Sequence, residues 1–173
     1  ADGINVETKN MYLDLKFGDT AAKIGQQTMK DGLYEGIAYF DDFSGVTVSH
    51  KIGDTTLGAH YAKVDEGNDI YPPRAYGLSG KSDWDDTDFY TFQAMHKFSD
   101  SFTMQGSVTF VDENDYDGSD SATSDLFFYG PRFDFSTGNF NIDGFLVMQS
   151  GGVEYDNSYA PGTKDPDYEG FVL

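Results

Sequence analysis

The chain of 173 residues has no cysteine, five prolines, one tryptophan, and only 11 Lys+Arg against 30 Asp+Glu. Each shortage excludes something. Without cysteine there is no disulfide framework, no thiolate metal centre and no covalent haem attachment. A formal charge of −19 argues against a nucleic-acid partner, because phosphate requires a basic footprint. No run of about 18 apolar residues occurs, so no transmembrane helix is encoded. The opening Ala1-Asp2-Gly3 is not a basic-then-apolar leader, and no signal peptide is expected within these residues. The acidity does not imply disorder. Disordered chains are poor in aromatics, and 16% of this one is Phe, Trp or Tyr. The length fits one domain or part of a larger one, and residues 1–173 are expected to belong to a single one.

What is present is alternation. Phe102, Met104, Val108 and Phe110 share one phase, and Thr103, Gln105, Ser107 and Thr109 the other. Period two is the signature of a strand with one apolar and one wet face. The same pattern sets Met11, Leu13, Leu15 and Phe17 against Tyr12, Asp14 and Lys16, and Val46, Val48 and Ile52 against Thr47, Ser49 and Lys51. It sets Tyr90, Phe92, Ala94 and Phe98 against Thr91, Gln93 and Lys97. It also sets Phe127, Tyr129, Phe133 and Phe135 against Arg132 and Asp134, and Phe140, Ile142, Leu146 and Met148 against Asn141, Asp143 and Gln149. Segments 21–29 and 56–64 are weaker examples; in the second, Leu57, Ala59 and Tyr61 oppose His60. His50 and His96 fall on the apolar phase and break the pattern.

These are about eight strands, most of them roughly 9–11 residues long, the length that crosses a membrane; strands of soluble proteins average about 5–6. Tight-turn chemistry stands at Gly18-Asp19-Thr20, Gly53-Asp54-Thr55, Ser99-Asp100-Ser101 and Thr137-Gly138-Asn139. Long polar connections stand at 30–45, 65–88, 112–125 and 150–170, in strict alternation with the tight turns. They carry 4, 7, 6 and 5 acidic residues, 22 of the 30, so the negative charge gathers at one end. Short turns at one rim and long loops at the other are the plan of outer-membrane barrels. Tyr12, Phe17, Tyr61, Phe89, Tyr90, Phe98, Phe127, Tyr129 and Phe140 lie near strand ends, as aromatic girdles would. The expected fold is an all-β, antiparallel, up-and-down transmembrane β-barrel. Met11–Phe17 runs toward a short turn, and Phe171-Val172-Leu173 reads as the start of a ninth strand. About eight to nine strands of a larger barrel are therefore expected here, since an open edge in lipid leaves backbone groups unpaired.

Tyr12-Leu-Asp-Leu-Lys-Phe-Gly-Asp19, followed by Ala22-Lys-Ile-Gly-Gln-Gln27, resembles the strand–turn–strand of proteobacterial general porins. There a segment ending in Phe-Gly precedes a Leu/Ile-Gly-x-Gln strand; Gln26 stands where many porins carry arginine. Phe40-Asp-Asp-Phe-Ser-Gly-Val-Thr-Val48 resembles the return from a loop into the next porin strand. The resemblance implies a passive channel for small hydrophilic solutes or ions in a bacterial outer membrane, with lipid and lipopolysaccharide around it. It also implies a homo-oligomer, a trimer in that family, with no enzymatic activity and no cofactor.

In such a barrel the polar phase faces the lumen. The expected pore-lining residues are Asp14, Lys16, Lys23, Lys51, His60, Lys97, Arg132, Asp134 and Asp143. Mixed charges along a pore filter ions by sign. Arg132 and Asp134 are expected to pair with neighbours on adjacent strands. The run Asp112-Glu-Asn-Asp-Tyr-Asp-Gly118 imitates a calcium loop, but position twelve counted from Glu113 is Ser124 rather than the bidentate glutamate. Weak binding of divalent cations by the acidic loops is the expectation there, with no dedicated metal site. Tyr71-Pro-Pro-Arg74 reads as a loop stiffener, and Gly77-Leu-Ser-Gly80 has no helix behind it to bind phosphate. Two alternatives share the strand pattern. One is a scaffold barrel that sheathes a redox partner or displays loops. The other is a soluble all-β carbohydrate-binding module using Tyr, Trp84 and the Asp-rich loops.

Overall fold

The computed structural model describes residues 10–30, 40–63, 86–114, 122–155 and 167–172. They form one antiparallel sheet of strands β1 (Met11–Phe17), β2 (Thr20–Lys30), β3 (Phe40–Ile52), β4 (Thr55–Lys63), β5 (Asp86–Ser99), β6 (Phe102–Asn114), β7 (Ala122–Thr137), β8 (Phe140–Phe145), β9 (Val147–Tyr155) and β10 (Asp167–Val172). From β1 to β8 each strand pairs with the next in chain order, β7 pairs with β9 as well as β8, and β9 pairs with β10. The fold is all-β and up-and-down, as the alternation predicts. Among the described residues β1 and β10 do not pair with each other, so the sheet is not closed by hydrogen bonds.

The short turns follow from their residues. Phe17 pairs with Thr20, Ile52 with Thr55 and Thr137 with Phe140, leaving two-residue loops that begin at Gly18, Gly53 and Gly138. These glycines have φ of 59°, 58° and 58°. Primed hairpin turns need that left-handed backbone because its twist matches that of the strands. The fourth turn, Asp100-Ser101, has no glycine, and the pairing slips by one residue between Lys97 and Ser99.

Proline explains the gap between β8 and β9. Arg132 pairs with Phe145 before the gap and Tyr129 with Met148 after it, so the register does not move. Leu146 lies opposite Pro131 and donates its N–H to the Pro131 carbonyl at 3.0 Å. Proline has no N–H to return the bond. The two segments are thus one continuous strand, and the described residues form nine such strands.

The register sorts side chains onto two faces, since directly opposed residues share a face. The described large apolar side chains that are exposed all lie on one face, apart from Tyr12 and Met95. Leu15, Ala22, Val48, Ala59, Phe92, Val108, Tyr129 and Met148 form a single row of opposed residues across that face. The opposite face carries the buried residues, including Met29, Phe43, Ala62, Phe89, Val111 and Val147. It therefore faces inward.

One glycine on the inner face is indispensable to the ladder. Gly151 has φ 145°, and a Cβ there would meet the backbone of Asp125 and Leu126. Gly151→Ala is expected to lower stability by roughly 1–3 kcal/mol. Gly106→Ala has open space and no positive φ and should be nearly neutral. Denaturant midpoints of the two folded variants provide the test; equal midpoints would refute the argument.

Candidate pore-lining face

All nine sequence-predicted lumen residues lie on the inward face. Asp14 opposes Lys23, Lys23 opposes Thr47, and Thr47 opposes His60. Lys16 and Lys51 are two residues along from Asp14 and Ser49 on the same faces of β1 and β3. Lys97 opposes Thr103, Thr103 opposes Asp134, and Asp134 opposes Asp143; Arg132 opposes Gln105.

Their polar groups are joined across the strands. Gln105 Nε2 donates to Gln93 Oε1 at 3.1 Å, and Gln93 Nε2 lies 3.0 Å from His60 Nε2. An amide nitrogen only donates, so His60 Nε2 accepts and the ring proton sits on Nδ1. Beside this ladder, the Thr91 and Thr109 hydroxyls bond each other at 2.8 Å, fully buried. A buried hydroxyl without a partner would cost about 1–3 kcal/mol, and each threonine supplies the other's. Lys23 Nζ lies 4.7 Å from the centre of the Tyr12 ring, a cation–π contact. At the short-turn rim, Lys97 Nζ donates to Asp100 Oδ1 at 2.6 Å. That ammonium holds the turn carboxyl of Asp100 below its usual range.

Arg132 and Asp134 pair with each other rather than with adjacent strands. Arg132 donates to Asp134 Oδ1 from Nη2 at 3.0 Å and from Nε at 3.3 Å. The reason lies in the register. Arg132 is flanked by Gln105 and Phe145, and Asp134 by Thr103 and Asp143. No opposite charge directly faces Arg132 across the ladder, and the guanidinium reaches along its own strand. Asp143 then faces Asp134 as a like charge. Charge is consequently segregated: β1–β3 hold Lys16, Lys23 and Lys51 with Asp14, whereas β7 and β8 hold Asp134 and Asp143 with Arg132.

The alternation did not reveal an apolar patch on this same face. Met29, Phe43, Ala62, Phe89 and Val111 form a buried cluster with Leu126 and Phe128 packed against it. Phe43 and Phe89 ring centres are 5.7 Å apart. Phe89 and Tyr12, expected in the girdles, point inward instead, because each sits one residue off the apolar phase of its strand. The available signal was Phe43, Phe89 and Val111 falling in phase with Thr47, Thr91 and Thr109.

On the outer face the aromatics form two rows. Tyr61, Tyr90, Phe110 and Phe127 are opposed in register, with centroid separations of 5.3, 6.1 and 4.8 Å. Toward the short turns, Phe98 stacks on Phe102 at 5.5 Å, and Phe102 opposes Phe135. The rows stand eight residues apart on β5, β6 and β7, as Tyr90–Phe98, Phe102–Phe110 and Phe127–Phe135. Eight residues span about 27 Å along a strand and about 20 Å after a tilt of roughly 40°, close to the apolar band of about 25 Å in outer-membrane barrels. Tyr129, counted among the girdle residues, lies between the rows. Beyond the upper row Asp88, Asp112 and Asp125 are directly opposed, and Tyr61 donates its hydroxyl to Asp88 at 2.9 Å.

No cluster of three or more His, Asp or Glu among the described residues could hold a metal ion. Most of the calcium-like run, together with Tyr71-Pro-Pro-Arg74, Gly77-Leu-Ser-Gly80 and Trp84, lies outside the described residues. No family model matches the chain, and no curated protein matches it in sequence.

Proposed function

We propose that this chain forms part of the wall of a porin-like β-barrel in a bacterial outer membrane, a passive channel for small hydrophilic solutes or ions without catalytic activity. One observation carries the reading. A single-layer sheet turns its exposed apolar side chains to one side, between two aromatic rows, and its nine charged or titratable lumen candidates to the other. In water, so large an apolar surface would drive aggregation or burial against a partner. In a bilayer it is the lipid face.

The open sheet belongs to a larger barrel in this reading. β1 and β10 run in the same direction, because an odd number of continuous strands separates their outer edges. Joining them directly would give a parallel seam. Antiparallel closure takes an odd number of further strands. Lipopolysaccharide at the acidic rim and assembly as a homotrimer are parts of the same proposal.

The test is conductance. The full barrel reconstituted in planar bilayers is expected to insert in discrete, stepwise increments of current. A barrel that inserts and conducts nothing would instead favour the scaffold reading. A chain that stays monomeric in water without detergent would favour the carbohydrate-binding module.

The acidic rim makes a further prediction. Opposed like charges repel, as at Asp88, Asp112 and Asp125, and 22 of the 30 acidic residues fall in the sequence of the four long connections. Divalent cations are expected to raise the thermal midpoint of the inserted protein at low ionic strength, and to do so less at physiological salt, where the Debye length is only about 8 Å. Midpoints unmoved by Ca²⁺ or Mg²⁺ at low salt would count against it.

A further inference from the structure

The two histidines that break the apolar phase share one setting, built twice. Thr20 opens β2 after Gly18-Asp19, and its Oγ1 is 2.8 Å from Nδ1 of His50, its partner in register. Thr55 opens β4 after Gly53-Asp54, and its Oγ1 is 2.8 Å from Nδ1 of His96, again its partner in register. A lysine follows each histidine and donates its N–H to the aspartate carbonyl of the same turn: Lys51 to Asp19 and Lys97 to Asp54, both at 2.9 Å. Gly-Asp-Thr on one hairpin and His-Lys on the next strand thus recur as one unit.

A threonine hydroxyl can donate or accept. It donates to Nδ1 of a ring protonated on Nε2, and it accepts from Nδ1 of an imidazolium; in these two states Nε2–H is directed away from the threonine. The neutral ring protonated on Nδ1 would leave Nε2 bare, and an anion at Nε2 selects against it. Among the described residues neither Nε2 has a hydrogen-bond partner. His50 is exposed and His96 half-buried. Both lie on the apolar face, close to the short turns. The Phe98 ring lies edge-on to His96 at 4.5 Å.

We propose that the two Thr–His pairs each hold the phosphate of a phospholipid in the leaflet at the short-turn rim. The inference rests on the membrane reading above. At the edge of the apolar band the anion always at hand is the lipid's own phosphate. An imidazole N–H directed at it makes a hydrogen bond that strengthens when the ring is charged. The pairs stand two strands apart, about 10 Å, which leaves room for one headgroup at each. The threonine holds the ring in place, so it is a positioning residue and the histidine makes the contact.

The experiment uses the full barrel, with isotope-labelled histidine, in phosphatidylglycerol vesicles and phosphate-free buffer, so that lipid is the sole source of phosphorus. Nitrogen–phosphorus dipolar dephasing is measured at each Nε2, and His50→Gln and His96→Gln assign the signals. Dephasing is expected at His50 and His96 and absent at His60, which lies on the opposite face. Thr20→Val should abolish it at His50 while His96 keeps it, and Thr20→Ser should restore it. The proposal is overturned by no dephasing at His50 and His96, by equal dephasing at His60, or by a Thr20→Val signal that does not change. Co-flotation with the vesicles and protease protection report insertion separately. A full barrel that fails to insert overturns the membrane reading and this inference with it, whereas insertion without dephasing overturns the inference alone.

Discussion

Val108→Arg is expected to destabilise the membrane-inserted protein by roughly 1–3 kcal/mol, because a cation on the lipid face costs about 2–4 kcal/mol at the bilayer midplane and less toward the interface. Val108 is 37% exposed on the apolar face. It lies in the row that runs from Leu15 through Val48 and Phe92 to Met148, between the two aromatic rows, two residues from Phe110 and six from Phe102. Ser107 is the next residue and points inward, where it opposes Gln93 and Gly130. Arginine there enters a polar surround, and Ser107→Arg should be tolerated. Reversible urea unfolding in vesicles compares the pair. Because the two residues are adjacent on one strand, they share nearly the same depth and differ chiefly in face. Equal losses would mean that the inside and outside have been assigned wrongly.

The second large effect concerns ion selectivity. Lys23→Glu and Arg132→Glu each change the inner face by two charges and are expected to shift the reversal potential toward cations. Two charges about 6 Å from a permeating ion in bulk-like water amount to about 1 kcal/mol, a severalfold change in the cation-to-anion permeability ratio after screening. Arg132→Glu should act more strongly. Arg132 neutralises Asp134, and Asp143 lies directly opposite that carboxylate. Its reversal would place three carboxylates side by side. The parent channel is expected to prefer cations mildly at low salt, through its acidic rim, and to lose that preference as salt screens the rim. The variants should keep their shift at high salt, because inner-face charges act at short range. Reversal potentials under a salt gradient measure both; if neither variant moves them, these residues do not line the conducting path.

Much of this architecture was legible in the residue order. Side chains alternate because the extended backbone turns successive Cβ atoms to opposite sides. That is a property of each strand alone, so the phase of Asp14, Lys16, Lys23, Lys51, His60, Lys97, Arg132, Asp134 and Asp143 could be read before any pairing was known. The tight turns were legible for a similar reason: Gly18, Gly53 and Gly138 supply the left-handed backbone that a two-residue hairpin requires.

Only the tertiary structure decided who meets whom. Arg132 turns to Asp134 because the register offers it Gln105 and Phe145 on either side. Phe43, Phe89 and Val111 gather into a buried cluster on a face whose phase is otherwise polar, because the register opposes Phe89 to Val111 and brings the Phe43 ring beside Phe89. Thr20 meets His50 across 30 positions and Thr55 meets His96 across 41. These contacts depend on the relative slide of neighbouring strands. Alternation within a strand is silent about that slide beyond its parity, since a shift of two residues preserves every face and changes every partner.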